Sequence, residues 1–334
     1  MKCISKRSKK KLAKALVILL SFTSIPGCGK TEPLEDAYSI YDSTKAYGLG
    51  TAAETGGEPG TFFAEDLCVA GSEDVLSQNI QASLSEAAGL FNLKENTMEF
   101  GKNVHGQMYP ASTTKILTAY VALKHGDLSE IATVTEAELE LEPNSSVCGL
   151  EVGDKISLEE LLYGLIICSG NDAANVIADL VSGSAEGFVS LMNEEAKALG
   201  ATNSHFANPH GLQDESHYTT VYDMYLITQA AVKNEKFVTL ISTASHTANL
   251  TNASGEPVAK EWTNTNRYLT GESTAPEGVT VVGGKTGTTT DAGCCLVLYS
   301  KKAGDVPYIS IVFKAETKET LYEEMSELLI EISK

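Results

Sequence analysis

Tyr109-Pro-Ala-Ser-Thr-Thr-Lys115 is the stretch on which the reading of this chain turns. After Pro110 the residues become good helix formers, with apolar positions at Ile116, Leu117, Tyr120 and Leu123, so the spacing predicts a helix whose first turn carries Ser112. Three residues along a helix returns to the same face, about 5–6 Å away between Cβ atoms, which puts Lys115 beside Ser112. Serine is a poor nucleophile unless a base lies within hydrogen-bond reach. A lysine can be that base only if burial or nearby positive charge brings its pKa down from about 10.4. Lys285 and the positive end of the helix dipole are candidate sources of that charge. Taken alone, the pair reads more simply as a helix-capping serine and a solvated lysine.

Two further strings change that balance. Ser169-Gly-Asn171 follows the apolar run Leu161 to Cys168 and precedes another helical segment, so it lies on a turn able to aim side chains into a cleft. Ser169 can relay a proton between a lysine and a leaving amine, and the Asn171 amide can hold Lys115 and a peptide carbonyl. Ser-Gly-Asn-Asp is also an ordinary turn and N-cap, and the two roles are compatible. Lys285-Thr-Gly-Thr288 follows an apolar stretch and Gly283-Gly284, as a strand edge does, and Gly287 lacks a side chain where substrate would approach the backbone. There Lys285 can stabilise developing charge, the hydroxyls of Thr286 and Thr288 can reach a carboxylate, and the N–H groups of Ser112 and Thr288 can form an oxyanion hole. The three strings in this order point to serine acyl transfer.

Ahead of these motifs, Lys2, Lys6, Arg7, Lys9, Lys10, Lys11 and Lys14 precede the apolar run Ala15 to Phe22, the pattern of an export signal over residues 1–27. Ile25-Pro-Gly-Cys28 resembles a lipobox, which makes Cys28 the expected lipidated mature N-terminus, tethered at the outer face of the cytoplasmic membrane; an unlipidated, secreted form is the alternative. Residues 28–61 carry six acidic residues and, between Gly48 and Gly60, five glycines, with little apolar periodicity, and read as a flexible spacer. The catalytic domain is expected over 62–334. Short strands are predicted at Leu67 to Ala70, Ala88 to Lys94 and Met98 to Gly101, then a largely helical subdomain over about 116–240. Strands return at Val279 to Lys285, Cys294 to Lys301 and Tyr308 to Ala315, and Leu321, Met325, Leu328, Leu329 and Ile332 at helical spacing predict a last helix packed on the sheet.

Composition narrows the partners. The chain has 25 basic and 44 acidic residues, a net charge of −19; without the seven basic residues of 1–27 it is 18 against 44, or −26. Nucleic acid and anionic lipid surfaces are therefore poor partners. The six histidines show no ligand spacing, and neither metal nor cofactor is expected. Cys68, Cys148, Cys168, Cys294 and Cys295 show no regular spacing and read as buried free thiols, with a disulfide somewhere among them as the alternative; Cys294 and Cys295 would point to opposite faces of a strand.

With Phe206-Ala-Asn-Pro-His-Gly-Leu212, His217-Tyr-Thr-Thr and Asn264-Thr-Asn266 added, residues 62–330 resemble the low-molecular-mass penicillin-binding proteins that act as serine D-alanyl-D-alanine carboxypeptidases. The resemblance implies an α/β fold of the α+β type, a mainly antiparallel five-stranded sheet flanked by helices. It implies removal of the terminal D-alanine from peptidoglycan stem peptides through an acyl-serine, with β-lactams acylating the same serine. Many members carry a second β-rich domain and a C-terminal membrane anchor; this chain stops soon after its last predicted strand, and an N-terminal lipid is expected to replace the anchor. Arg267, the one arginine after the leader, is a candidate for the substrate carboxylate, with a surface ion pair as its other reading. A class A β-lactamase would need a glutamate near residues 200–210, and none is there. Endopeptidase or transpeptidase action and a non-catalytic wall- or penicillin-binding module remain as alternatives.

Overall fold

The computed structural model describes residues 66–80 and 83–334. The export signal, Cys28 and the spacer lie outside the described residues. In chain order the strands are β1 (Ala87–Asn92), β2 (Thr97–Lys102), β3 (Ile131–Thr133), β4 (Lys155–Ser157), β5 (Ser245–Thr251), β6 (Pro257–Thr263), β7 (Val279–Thr289), β8 (Gly293–Lys302) and β9 (Val306–Ala315). The helices are α1 (Lys115–His125), α2 (Leu158–Ile167), α3 (Asn171–Ser182), α4 (Ala185–Ala198), α5 (Val221–Ala231), α6 (Glu235–Ser242), the single turn α7 (Arg267–Thr270) and α8 (Lys318–Ser333).

Five strands form one antiparallel sheet in the order β2-β1-β9-β8-β7. Alternating side chains divide its core in two, as the period of a strand requires. Ala87, Phe91, Cys295, Val297, Ile309, Ile311 and Phe313 face the helices that follow β2. Ala88, Leu90, Leu296, Leu298 and Val312 face α8, which presents Leu321, Met325, Leu328, Leu329 and Ile332. Cys294 and Cys295 accordingly fall on opposite faces. Thr317 caps α8 in a reciprocal box with Thr320, fixing where the helix starts its return across the sheet. On the other face Phe91 stacks on Tyr225 of α5, ring centroids 4.2 Å apart.

Two features depart from the sequence reading. Leu67 to Ala70 is not a strand: the Cys68 N–H donates to the Tyr225 hydroxyl (2.8 Å) instead of to a neighbouring strand, and the only pairing nearby is a bridge between Val75 and Gly101. A second antiparallel sheet, β3-β4-β5-β6, was not anticipated. Its long hairpin buries only Ala248, Leu250 and Trp262, too few apolar positions to announce a strand.

Because Phe91 is fully buried and stacked, Phe91→Ala is expected to lower the unfolding free energy by about 3–5 kcal/mol in urea titrations.

Candidate active site

Ser112 lies in a four-residue 3₁₀ turn, Ala111–Thr114, that runs directly into α1. At three residues per turn, positions i and i+3 stack one above the other, a closer alignment than an α-helix gives. The Lys115 Nζ stands 3.0 Å from Ser112 Oγ and also donates to Asn171 Oδ1 (2.7 Å) and to the His210 carbonyl (2.6 Å). The side chain is fully buried, and that burial, reinforced by the charge of Lys285, holds its pKa well below the ordinary lysine range. With one proton removed, two N–H groups still serve Asn171 and His210 and the lone pair is left for the Ser112 hydroxyl. The geometry suits an amine that takes a proton from that serine.

Ser169 sits between α2 and α3 with φ of 60°, and Asn171 opens α3, so the turn swings both side chains inward. Asn171 is held from behind: its N–H donates to the Ser146 carbonyl (2.8 Å). The buried Asp172 carboxylate accepts from the N–H groups of Cys148, Gly149 and Leu150 at 2.8–3.1 Å. Lys285, on β7, donates to Ser169 Oγ and to the Thr286 carbonyl, each at 2.9 Å. Burial pushes its pKa down to about 7, so near neutrality it readily gains or loses a proton.

β7 is the edge of the large sheet, and it passes close over the Ser112 turn. A Cβ on Gly287 would stand 2.8 Å from the Ser112 nitrogen and 3.0 Å from the Pro110 carbonyl oxygen, so glycine is required by the approach of two backbones. Ser112, Ser169, Thr286, Gly287, Thr288 and Arg267 line a common cleft of about 380 Å³. Within it Thr286 and Thr265 share a hydroxyl hydrogen bond of 2.6 Å. Arg267 reaches the rim of this cleft already partnered: its guanidinium lies 3.3 Å from Glu319, 3.8 Å from Glu272 and over the Tyr322 ring.

The sequence reading quoted the strings around residues 206–220 without giving them a task. In the structure they brace the Ser112 turn. Gly211 has φ of 88°, and a Cβ there would come within 1.9 Å of the Ala111 carbonyl oxygen. His217 Nδ1 accepts from the Ala207 N–H (3.1 Å), which leaves Nε2 as the donor to Thr114 Oγ1 (2.8 Å). Thr114 passes the bond on to the Ala111 carbonyl (2.8 Å), and Thr118 donates to the Pro209 carbonyl (2.6 Å). The Asn-Pro-His-Gly string was the available signal, since it places a positive-φ residue after a fixed turn.

Burial lowers the His217 pKa from 6.5 to about 4 and the His210 pKa to about 3. Between pH 6.5 and 4 the unfolded chain therefore binds more protons than the folded one, and stability falls as pH falls through that window. The drop attributable to His217 is expected to be about 2–3 kcal/mol. Urea titrations at pH 7 and pH 4 check this, with His217→Gln showing a correspondingly shallower dependence.

Comparison with known proteins agrees with this geometry. A family profile described as D-alanyl-D-alanine carboxypeptidase, Peptidase S11, matches residues 78–317. The chain is 33% identical over 250 residues to D-alanyl-D-alanine carboxypeptidase DacF of Bacillus subtilis, a match covering 73% of this chain and 61% of that protein. It is 37% identical over 245 residues to DacC of Escherichia coli, covering 68% of this chain and 56% of that one. It thus spans somewhat over half the length of these two relatives. The crystal structure of the Streptomyces K15 DD-transpeptidase superposes with a TM-score of 0.69 at 28% identity, covering 75% of this chain and 97% of that one. By sequence and by fold, the chain belongs to the Peptidase S11 family of D-alanyl-D-alanine carboxypeptidases.

Proposed function

We propose that this chain is a serine D,D-carboxypeptidase that removes the terminal D-alanine from peptidoglycan stem peptides and is acylated by β-lactams. The observation that carries this reading is the buried, charge-depleted Lys115 amine 3.0 Å from Ser112 Oγ, beneath the edge strand β7. In the proposed cycle a stem peptide pairs with the β7 edge in extended form. Ser112 Oγ attacks the carbonyl of the penultimate D-alanine and passes its proton to Lys115. The Ser112 and Thr288 N–H groups hold the oxyanion, each donor contributing roughly 3–4 kcal/mol. Lys285 and Ser169 then deliver a proton to the departing amine, for which their 2.9 Å contact is suited. Water resolves the acyl-serine and Asn171 keeps Lys115 aligned throughout. The substrate's terminal carboxylate is assigned to the hydroxyls of Thr286 and Thr288. Arg267 adds to it at the rim by turning from its two half-solvated carboxylate partners.

Placement follows the same proposal. Residues 1–27 direct export, Cys28 carries the lipid, 28–61 span from membrane to wall and 62–334 form the catalytic part, an extracytoplasmic enzyme held at the outer face of the membrane. The likeness to a DD-transpeptidase favours one second reading, in which an amine and not water resolves the acyl-enzyme.

The protein lacking residues 1–28 is expected to release free D-alanine from diacetyl-Lys-D-Ala-D-Ala, and Ser112→Ala to reduce that release about 10³-fold or more. Loss of hydrolysis with transfer of the acyl group to added glycylglycine would replace carboxypeptidase by transpeptidase. In cells fed an alkyne-bearing fatty acid, the full chain is expected to take up label and Cys28→Ala to lose it; equal labelling of both would remove the lipid anchor at this position.

A further inference from the structure

Cys148 and Cys168 take no part in the chemistry above, yet their sulfurs stand 3.1 Å apart, about 1 Å longer than a disulfide bond. Cys148 belongs to the segment that Asp172 fastens by its backbone N–H groups, and Trp262 Nε1 donates to its carbonyl (3.1 Å). Cys168 ends α2 and immediately precedes Ser169. The Cys148 sulfur occupies a slot that two glycines keep open: a Cβ on Gly164 would meet it at 2.5 Å and one on Gly170 at 2.1 Å. Two thiols this close can be joined by thiol–disulfide exchange.

We propose that Cys148 and Cys168 are a disulfide-forming site that, when oxidised, ties the cleft-lining segment 146–150 to the turn carrying Ser169 and Asn171. The oxidant is a disulfide, either a small molecule RSSR or that of a thiol oxidoreductase. Cys168 is part-exposed and reacts first: its thiolate attacks one sulfur of RSSR, forming a mixed disulfide and expelling RS⁻. The Cys148 thiol, whose pKa burial pushes up well above its usual range, then loses its proton and attacks the Cys168 sulfur, expelling the second RS⁻. Two cysteine thiols and RSSR give one protein disulfide and two RSH. The bond closes a loop of some twenty residues that includes all of α2, and it links two segments already held in register by Asp172. It therefore stabilises the fold without displacing Ser169. An extracytoplasmic setting would keep it oxidised.

The test uses the folded full chain in detergent, incubated with oxidised glutathione or with dithiothreitol, acid-quenched, denatured, alkylated with N-ethylmaleimide and digested. The expected result is a peptide joining Cys148 to Cys168, lighter than its two thiol halves by two hydrogens, absent after dithiothreitol. The oxidised chain should also melt about 5 °C or more above the reduced one, a difference missing from the Cys148→Ser, Cys168→Ser double variant. Full alkylation of both cysteines after oxidation, stable glutathione adducts without a cross-link, or pairing with any other cysteine would overturn the proposal. So would the same melting difference in the double variant. Should that variant not fold, the peptide map of the unaltered chain decides alone.

Discussion

The constraint on which the rest of this structure hangs is the removal of one lysine amine from water. A buried ammonium is costly unless its protons find acceptors, and a buried amine must still satisfy its N–H groups. Lys115 meets both demands with oxygens from three separate places: its own 3₁₀ turn, the start of α3 and the carbonyl of His210. Those three pieces of chain must therefore converge before the lysine can be inside. The low proton affinity that makes it useful is a by-product of the same burial.

Convergence needs room, and the chain supplies it by omission. Gly287 lets the edge strand lie against the Ser112 turn, and Gly211 lets the segment around His210 close on it from the other side. Asp172 does for the third side what glycine cannot, gathering three consecutive backbone N–H groups onto one carboxylate. The sheet provides the fixed base, because it is packed on both faces, with β7 at its margin bordering the cleft together with Cys295 of β8.

Much of this was legible in the residues before any coordinates. Alternating apolar positions gave β1, β2, β7, β8 and β9 to within a few residues. Helical spacing gave α1, α8 and the largely helical stretch between them, and the three short strings marked side chains that the structure brings together. What stayed hidden depends on contacts far apart in sequence. The β5–β6 hairpin alternates in burial, but several of its inward positions are only part-buried and polar, such as His246 and Lys260, so its residues do not spell out a strand. Gly211 and Asp172 act on backbone atoms of other segments and His217 on the Thr114 hydroxyl, and nothing in their own neighbourhood reveals which. The 3₁₀ character of the Ser112 turn is by contrast local, since the Thr113 and Thr114 hydroxyls donate back to the Pro110 and Ala111 carbonyls.

The bracing of that turn has a consequence for how the molecule breathes. Loops that carry function often open locally, at a fraction of the free energy of global unfolding. Here the nucleophile's turn is flanked by main chain on both sides and stitched through Thr114 and His217 to a distant segment, so no small excursion can free it alone. The Thr113 N–H, bonded to the Pro110 carbonyl inside that packing, should therefore exchange with deuterium slowly, while the Ser112 N–H, left without an intramolecular acceptor at the cleft, should exchange far faster.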